Sequence, residues 1–199
     1  MGCKWILKKK SGSSTEEVIH YKTHIVAKGY NQKEEMDYNE IFSLVVGHSS
    51  IRVLLTLVAN LNMELEQLNV KTTFLHGRLE EEILMQQPKG FEVEGKEIFF
   101  CRLKRSLYGL KQSPRQWYKR FDEFIVSHGY IRSPNDSCVY YSKVEVGSHI
   151  YVLFYMDDML ITSQIFLAIQ RLKSLHNSAF EMKDMGVAKK ILGMEIKRG

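Results

Sequence analysis

The chain predicts an α+β protein, an antiparallel sheet covered by helices on one face. Two stretches repeat apolar residues at helical spacing: Ile51, Leu54, Leu55, Val58 and Leu61, and then Trp117, Phe121, Phe124, Ile125 and His128. Short runs rich in β-branched and aromatic residues fall between and after them, at Leu65–Val70, Cys138–Tyr141 and Ile150–Ile161. From Ile51 onward the order is α, β, loop, α, β, β, α, β, β, which suits one sheet and its covering helices.

Taken in order, Trp5–Lys10 and Tyr21–Lys28 read as two strands, because Ile6, Leu7, Ile25 and Val26 sit among basic residues. Lys8–Thr15, K-K-K-S-G-S-S-T, is the turn between them. Lys8, Lys9, Lys10, Lys22 and Lys28 make this a basic hairpin, either a phosphate contact or a solvated face. Ser49 or Ser50 is expected to cap the first helix. Leu65–Val70 follows as a strand, and Phe74-Leu75-His76-Gly77 as a turn in which His76, lacking ligand spacing, is structural. Ser113 suits an N-cap and Pro114 the first helical position of the second helix, which stops before Gly129. Cys138–Tyr141 pairs with Tyr151–Phe154 across Val146-Gly147-Ser148. Ile165, Ile169, Leu172 and Leu175 form a third helix, and Phe180–Lys183 and Lys190–Lys197 close the chain as strands around Gly186.

The 199 residues suit one domain, or one domain with a lobe, and 44% apolar against 26% charged residues is ordinary globular composition. A net charge of +5 permits an anionic partner without requiring one. Cys3, Cys101 and Cys138 are odd in number and lack C-x-x-C spacing, which suggests neither a disulfide framework nor a zinc site and fits a reducing compartment. No apolar run approaches the roughly 18 residues of a membrane span, and the N-terminus carries no signal-peptide pattern. The expectation is a soluble protein without a membrane partner, intracellular, cytoplasmic or nuclear, and not secreted. The sequence sets no oligomeric state.

Two features carry chemistry. Arg102, Lys104, Arg105, Lys111, Arg115, Lys119 and Arg120 occur without an intervening acid and with Tyr108, Trp117 and Tyr118 among them, a pattern that suits phosphate neutralisation and base stacking. The alternative is a helix with a basic face and a core stripe, and both can hold. In I-Y-V-L-F-Y-M-D-D-M-L-I, Ile150–Ile161, Asp157 and Asp158 interrupt two apolar strands at a tight turn. Adjacent carboxylates repel, so the pair needs a cation or hydrogen-bond donors to stay charged. A divalent metal site is one reading, and an exposed hairpin whose acids face water is the other.

Several stretches stand out in order: V-A-K-G-Y at Val26–Tyr30, D-Y-N-E-I-F-S at Asp37–Ser43, F-L-H-G at Phe74–Gly77 and S-L-Y-G-L-K-Q-S-P-R-Q-W-Y at Ser106–Tyr118. Y-M-D-D at Tyr155–Asp158 and L-G-M-E-I at Leu192–Ile196 complete the set. Together and in this order they resemble the reverse transcriptase domain of copia-type LTR retrotransposons. The resemblance implies a right-hand polymerase, with fingers at roughly 1–45 and 78–112 and palm at roughly 46–77 and 113–199. It implies RNA-directed DNA synthesis on an RNA or DNA template with a primer, from deoxynucleoside triphosphates. Two Mg²⁺ ions there join the primer 3′ hydroxyl to the α-phosphate, activating the attacking oxygen and neutralising the leaving pyrophosphate.

By that resemblance Asp157 and Asp158 are catalytic metal ligands. Phe74 is a steric gate against a ribose 2′-hydroxyl, Tyr108 and Gly109 belong to the nucleotide-binding turn, and Lys28 is a triphosphate contact. Leu192, Gly193 and Met194 form the primer grip, and Lys104, Arg105, Lys111 and Arg115 meet the nucleic-acid backbone. The expectation from the same resemblance is a fragment of an element, without the family's thumb-like connection, ribonuclease H, integrase and protease.

The chain departs from the family at its first acidic motif, where Asn69 occupies the position of an aspartate. An amide offers one carbonyl oxygen and no charge, whereas hard Mg²⁺ favours carboxylates and phosphates. Glu66, three residues earlier, belongs to the opposite face of the same strand and is no substitute, and nothing places Asp37 or Asp136 nearby. His24 stands where the family usually has Arg, Leu44 where it has Pro, and Thr73 where it has Ala, which puts a hydroxyl beside the nucleotide pocket. The expectation is a reverse transcriptase whose metal binding and activity are weakened. The alternative is an inactive relic that at most binds nucleic acid. A two-acid metal nuclease would leave the Tyr108 turn and the primer-grip match without a purpose.

Overall fold

The computed structural model describes residues 1–10, 20–41, 43–191 and 193–197. The Ser11–Thr15 part of the expected turn, Phe42 of the D-Y-N-E-I-F-S stretch and Leu192 of the expected primer grip lie outside the described residues. Two compact units divide the chain, residues 1–42 with 74–117, and residues 43–73 with 118–199.

In the first unit, β1 (Cys3–Lys10) and β2 (His20–Ala27) form an antiparallel ladder, as Ile6, Leu7, Ile25 and Val26 among basic residues predict. Ile6 pairs with His24 and Lys8 with Lys22, so one face of the ladder carries Lys4, Ile6, Lys8, Lys22 and His24. A second pair, β4 (Leu84–Gln86) and β5 (Phe100–Arg102), forms within the stretch read as loop. Three-residue strands are too short to show a period. Ala27, Ile83, Met85 and Leu110 are the buried core of this unit, with Met1, Cys3, Leu79, Leu103 and Leu107 packed against it.

The second unit is built on a six-stranded antiparallel sheet, ordered β10-β3-β9-β8-β7-β6. Its strands are β3 (Glu64–Val70), β6 (Ile131–Arg132), β7 (Val139–Glu145), β8 (Ser148–Tyr155), β9 (Asp158–Ser163) and β10 (Met182–Val187). The hairpin β7–β8 pairs Tyr141 with Tyr151, as the Val146-Gly147-Ser148 turn predicts. Gly186 lies inside β10, at a register shift, rather than between two strands. The final stretch is a hairpin of two short strands, β11 (Lys190–Ile191) and β12 (Met194–Glu195), rather than the single strand expected.

Among the described residues there are short 3-10 helices at Gly29–Asn31 and Thr73–His76 and three α-helices, α1 (His48–Asn60), α2 (Ser113–Ser127) and α3 (Phe166–Ala179). They do not all cover one face, as the sequence suggested. From α2, Phe121 stacks on Phe154 of β8 at 4.4 Å between ring centroids, and from α3 His176 lies 5.8 Å from Phe121 and Lys173 pairs with Glu66 of β3. These contacts place both helices on the face of Glu66, Val152 and Phe154. Helix α1 lies on the opposite face, where Val53, Leu54 and Leu57 border a cavity of about 480 Å³ whose far wall is Val139, Tyr141 and Tyr151. Strand parity explains the difference, because residues 151 and 152 point to opposite faces and both are apolar enough to need a cover.

The expected caps also fall elsewhere. Residue Gly47 precedes α1, and neither Ser49 nor Ser50 caps it. Asp136 instead accepts from the Gly47 amide at 2.9 Å and from the Ser50 hydroxyl at 2.5 Å, a carboxylate at a helix N-terminus supplied from distant sequence. The Ser113 hydroxyl donates to the Leu107 carbonyl at 2.7 Å instead of accepting from its own helix. Trp117, Phe121, Phe124 and Ile125 are buried along α2 as predicted, but His128 is exposed, its Nδ1 donating to the Phe124 carbonyl at 2.7 Å.

Candidate active site

The acid pair sits where β8 turns into β9. Tyr155 and Asp158 are register partners, so Met156 and Asp157 form a two-residue loop. Met156 adopts φ +53°, which suits the tight twist of such a loop and costs a residue with a Cβ about 1–2 kcal/mol. The Val70 amide donates to the Asp157 carbonyl at 2.7 Å and ties the loop to the end of β3. Asp158 is also the register partner of Asn69, and Asn69 of Lys183. Tyr155, Asp158, Asn69 and Lys183 therefore form one row across four strands on one face.

Asn69 touches both acids. Its Nδ2 donates to Asp157 Oδ2 at 3.1 Å and to Asp158 Oδ1 at 3.2 Å. Gln67, two residues earlier and hence on the same face, donates from Nε2 to Asp158 Oδ1 at 3.1 Å. Because carboxylates can only accept, these contacts fix both amides with their nitrogens toward the acids. Gln67 was not among the residues the sequence singled out. Its spacing from Asn69 was the available sign, hidden by the ordinary occurrence of Gln on a half-exposed strand.

Glu66 faces the other way, as strand alternation requires. It is buried at 7% exposure and pairs with Lys173, itself 4% exposed, whose ammonium also reaches Asp184 at 2.8 Å. Asp136 is engaged at α1. Among the described residues no group of three or more His, Cys, Asp or Glu side chains is placed to hold a metal ion. Asp157 and Asp158 supply carboxylate oxygens for a hard divalent ion, but the neighbouring position directs an amide NH₂ at them. The residues present thus do not fit a two-ion group that needs a further shared carboxylate.

The residues expected to meet a nucleotide belong to the first unit, apart from the acids. Phe74 packs edge-on against Tyr108, with centroids 5.1 Å apart and planes at 65°, and His24 lies 5.3 Å from the same ring. The turn at Tyr108-Gly109 presses on the end of β2: the Ala27 amide donates to the Tyr108 carbonyl at 2.7 Å. A Cβ on Gly29 would lie 1.8 Å from the Gly109 carbonyl oxygen, and one on Gly109, where φ is +91°, would lie 2.2 Å from the Ala27 oxygen. Only glycine allows this crossing. Lys28, half-buried between Ala27 and Gly29, comes beside the turn by these neighbours' contacts, and its own amide donates to the Gly2 carbonyl at 2.9 Å.

Other expected residues have different settings. The Thr73 hydroxyl is buried and donates to the Val70 carbonyl at 2.9 Å, closing the end of β3. Gly193, with φ +82°, and Met194 form the loop side of the β11–β12 hairpin, in which Ile191 pairs with Met194. Lys104 and Arg105 are exposed. Lys111 has partners inside its unit, lying 4.6 Å over the Tyr38 ring and donating to the Tyr38 hydroxyl at 3.0 Å, and Arg115 pairs with Glu40. The sequence showed no acid within the basic stretch and could not show Glu40 folding onto it.

A family model described as reverse transcriptase (RNA-dependent DNA polymerase) matches residues 1–199. The chain is 50% identical over 197 residues to the retrovirus-related Pol polyprotein from transposon TNT 1-94 of Nicotiana tabacum, covering 98% of the chain and 15% of that protein. It is 36% identical over 198 residues to the Pol polyprotein from transposon RE2 of Arabidopsis thaliana, covering 100% of the chain and 14% of the relative. It is also 27% identical over 185 residues to the transposon Ty1-DR5 Gag-Pol polyprotein of Saccharomyces cerevisiae, across 89% of the chain and 10% of that protein. No solved structure matches. The chain therefore spans a small part of these relatives' length, and it belongs to the reverse transcriptase (RNA-dependent DNA polymerase) family, in the branch of copia-type retrotransposon Pol polyproteins.

Proposed function

We propose that this chain is the fingers and palm of an RNA-directed DNA polymerase using two-metal nucleotidyl transfer, and that Asn69 impairs that chemistry in this copy. The first unit is read as fingers and the second as palm. Asp157 and Asp158 are its metal ligands, with Mg²⁺ the ion. Phe74, Tyr108, Gly109 and Lys28 take the deoxynucleoside triphosphate, with Phe74 as the gate against a 2′-hydroxyl. Gly193 and Met194, with Leu192, hold the primer end. Lys104 and Arg105 meet the backbone of a primed RNA or DNA template, while Lys111 and Arg115 anchor the segment containing Tyr38 and Glu40. A cytoplasmic or nuclear setting follows from the same reading.

One observation carries the impairment: an amide nitrogen, not a carboxylate, stands against both Asp157 and Asp158. Even the loss of a residue that only supports a metal ligand costs roughly 10–100-fold in metal affinity or activity, so loss of a ligand should cost at least about that. Primer extension with Mg²⁺ tests the reading. The unmodified chain should extend poorly and the Asn69→Asp variant better, while full activity in the unmodified chain would overturn the impairment. A silent Asn69→Asp variant would move the fault elsewhere, first to His24 beside Tyr108.

A further inference from the structure

The geometry points to a metal-independent resting state in which Gln67 and Asn69 do the work of a cation: their amides hold the Asp157–Asp158 pair, and the site accepts a single divalent ion only by displacing Gln67 from Asp158. The inference rests on the reverse transcriptase reading and adds a competitor, Gln67, and a stoichiometry.

Two adjacent carboxylates repel each other, and donated hydrogen bonds or a cation offset that repulsion. Three donated hydrogen bonds supply that compensation here, one from Gln67 and two from Asn69, at 3.1, 3.1 and 3.2 Å. Asp158 Oδ1 accepts two of them, so it is the oxygen that a cation must compete for. Asn69 can present its carbonyl to an ion only by turning its nitrogen away from both acids. Gln67 has no such conflict and can swing off Asp158 from its half-exposed position. With Asp157 and Asp158 as the only anionic ligands among the described residues, charge balance favours one divalent ion over two.

Mn²⁺ is a suitable probe, because its paramagnetic signal reports free and bound ion without nucleotide, primer or template. The unmodified chain should bind one Mn²⁺ weakly, and its thermal midpoint should change little between Mn²⁺ and a chelator. Gln67→Leu and Gln67→Met should both bind Mn²⁺ several-fold more tightly, since the competing donor is gone. Asn69→Asp should bind at least about tenfold more tightly and take a second ion. It should also lose thermal stability in chelator and regain it with Mn²⁺, because three clustered carboxylates then keep only the Gln67 donor. Two ions on the unmodified chain, or unchanged or weaker Mn²⁺ binding in both folded Gln67 variants, would overturn the inference. These outcomes are separate from primer extension: a chain that extends poorly yet binds two ions sinks this inference alone, and one that extends fully with a single ion sinks the impairment alone.

Discussion

Strand β3 presents a buried acid to one face of its sheet and an amide to the other, three residues apart. On the covered face Glu66 and Lys173, at 7% and 4% exposure, form an ion pair beneath α3. On the opposite face, which α1 covers farther along, Asn69 is half-exposed and meets two carboxylates with no opposite charge in contact among the described residues. The covered face pairs its charges because an isolated ion there would be too costly. The half-exposed end of the other face satisfies its charges with hydrogen bonds instead. Shape and chemistry are therefore separable in this sheet: the row Tyr155, Asp158, Asn69, Lys183 holds its register with an uncharged residue at the third position.

The largest effect should come from breaking the covered face. Lys173→Met would leave Glu66 buried and unpaired and should cost about 3–5 kcal/mol in urea denaturation, with most of it restored by adding Glu66→Leu. A loss under about 1 kcal/mol would mean that Glu66 reaches water and that the two faces differ less than their burial says.

His176 offers a pH-dependent version of the same contrast. It is fully buried, its Nδ1 donates to the Leu172 carbonyl at 2.8 Å, and its Nε2 has no hydrogen-bond partner. Burial pulls its pKa down to about 4. The unfolded chain takes up this proton near pH 6.5 and the folded chain only near 4, so stability should be flat above that window and fall as pH drops through it. The loss is about 3 kcal/mol at most, and His176→Phe should remove most of this slope in denaturation curves taken at several pH values. A slope that survives the substitution would assign the acid sensitivity to other groups.

The first unit supplies the next step down. Gly109→Ala must hold a Cβ at φ +91° against the Ala27 oxygen, for about 1–3 kcal/mol of backbone strain alone. The variant should lose nucleotide affinity as well as stability; normal values of both would show that the turn relaxes. Smallest of all, Lys104→Ala and Arg105→Ala should leave stability unchanged and each lower the salt dependence of primer–template binding by about one. Lys111→Ala should instead lower stability, because its ammonium holds Tyr38.

Much of this was legible in the sequence where one residue pattern answers to one physical cause. The apolar stripe of α2, the β7–β8 hairpin and the Asp157-Asp158 turn follow from periodicity and turn chemistry. Glu66 and Asn69 fall on opposite faces because strands alternate. What stayed hidden depended on residues far apart in the chain. Asp136 caps α1 from 89 residues beyond Gly47, Glu40 meets Arg115 across 75, and no local pattern announces either. The placement of α1 opposite the other helices was hidden too, since periodicity tells that a helix has a buried face and not which face of a sheet covers it. Gln67 was missed because its importance comes only from what Asp158 lacks.

The most direct measurement is single-nucleotide addition to a primed template under single-turnover conditions in Mg²⁺, comparing the unmodified chain, Asn69→Asp, and Asn69→Asp combined with Asp158→Asn. The account predicts that Asn69→Asp raises the rate at least about tenfold and that the added Asp158→Asn change abolishes the gain. An unmodified chain as fast as Asn69→Asp would contradict it.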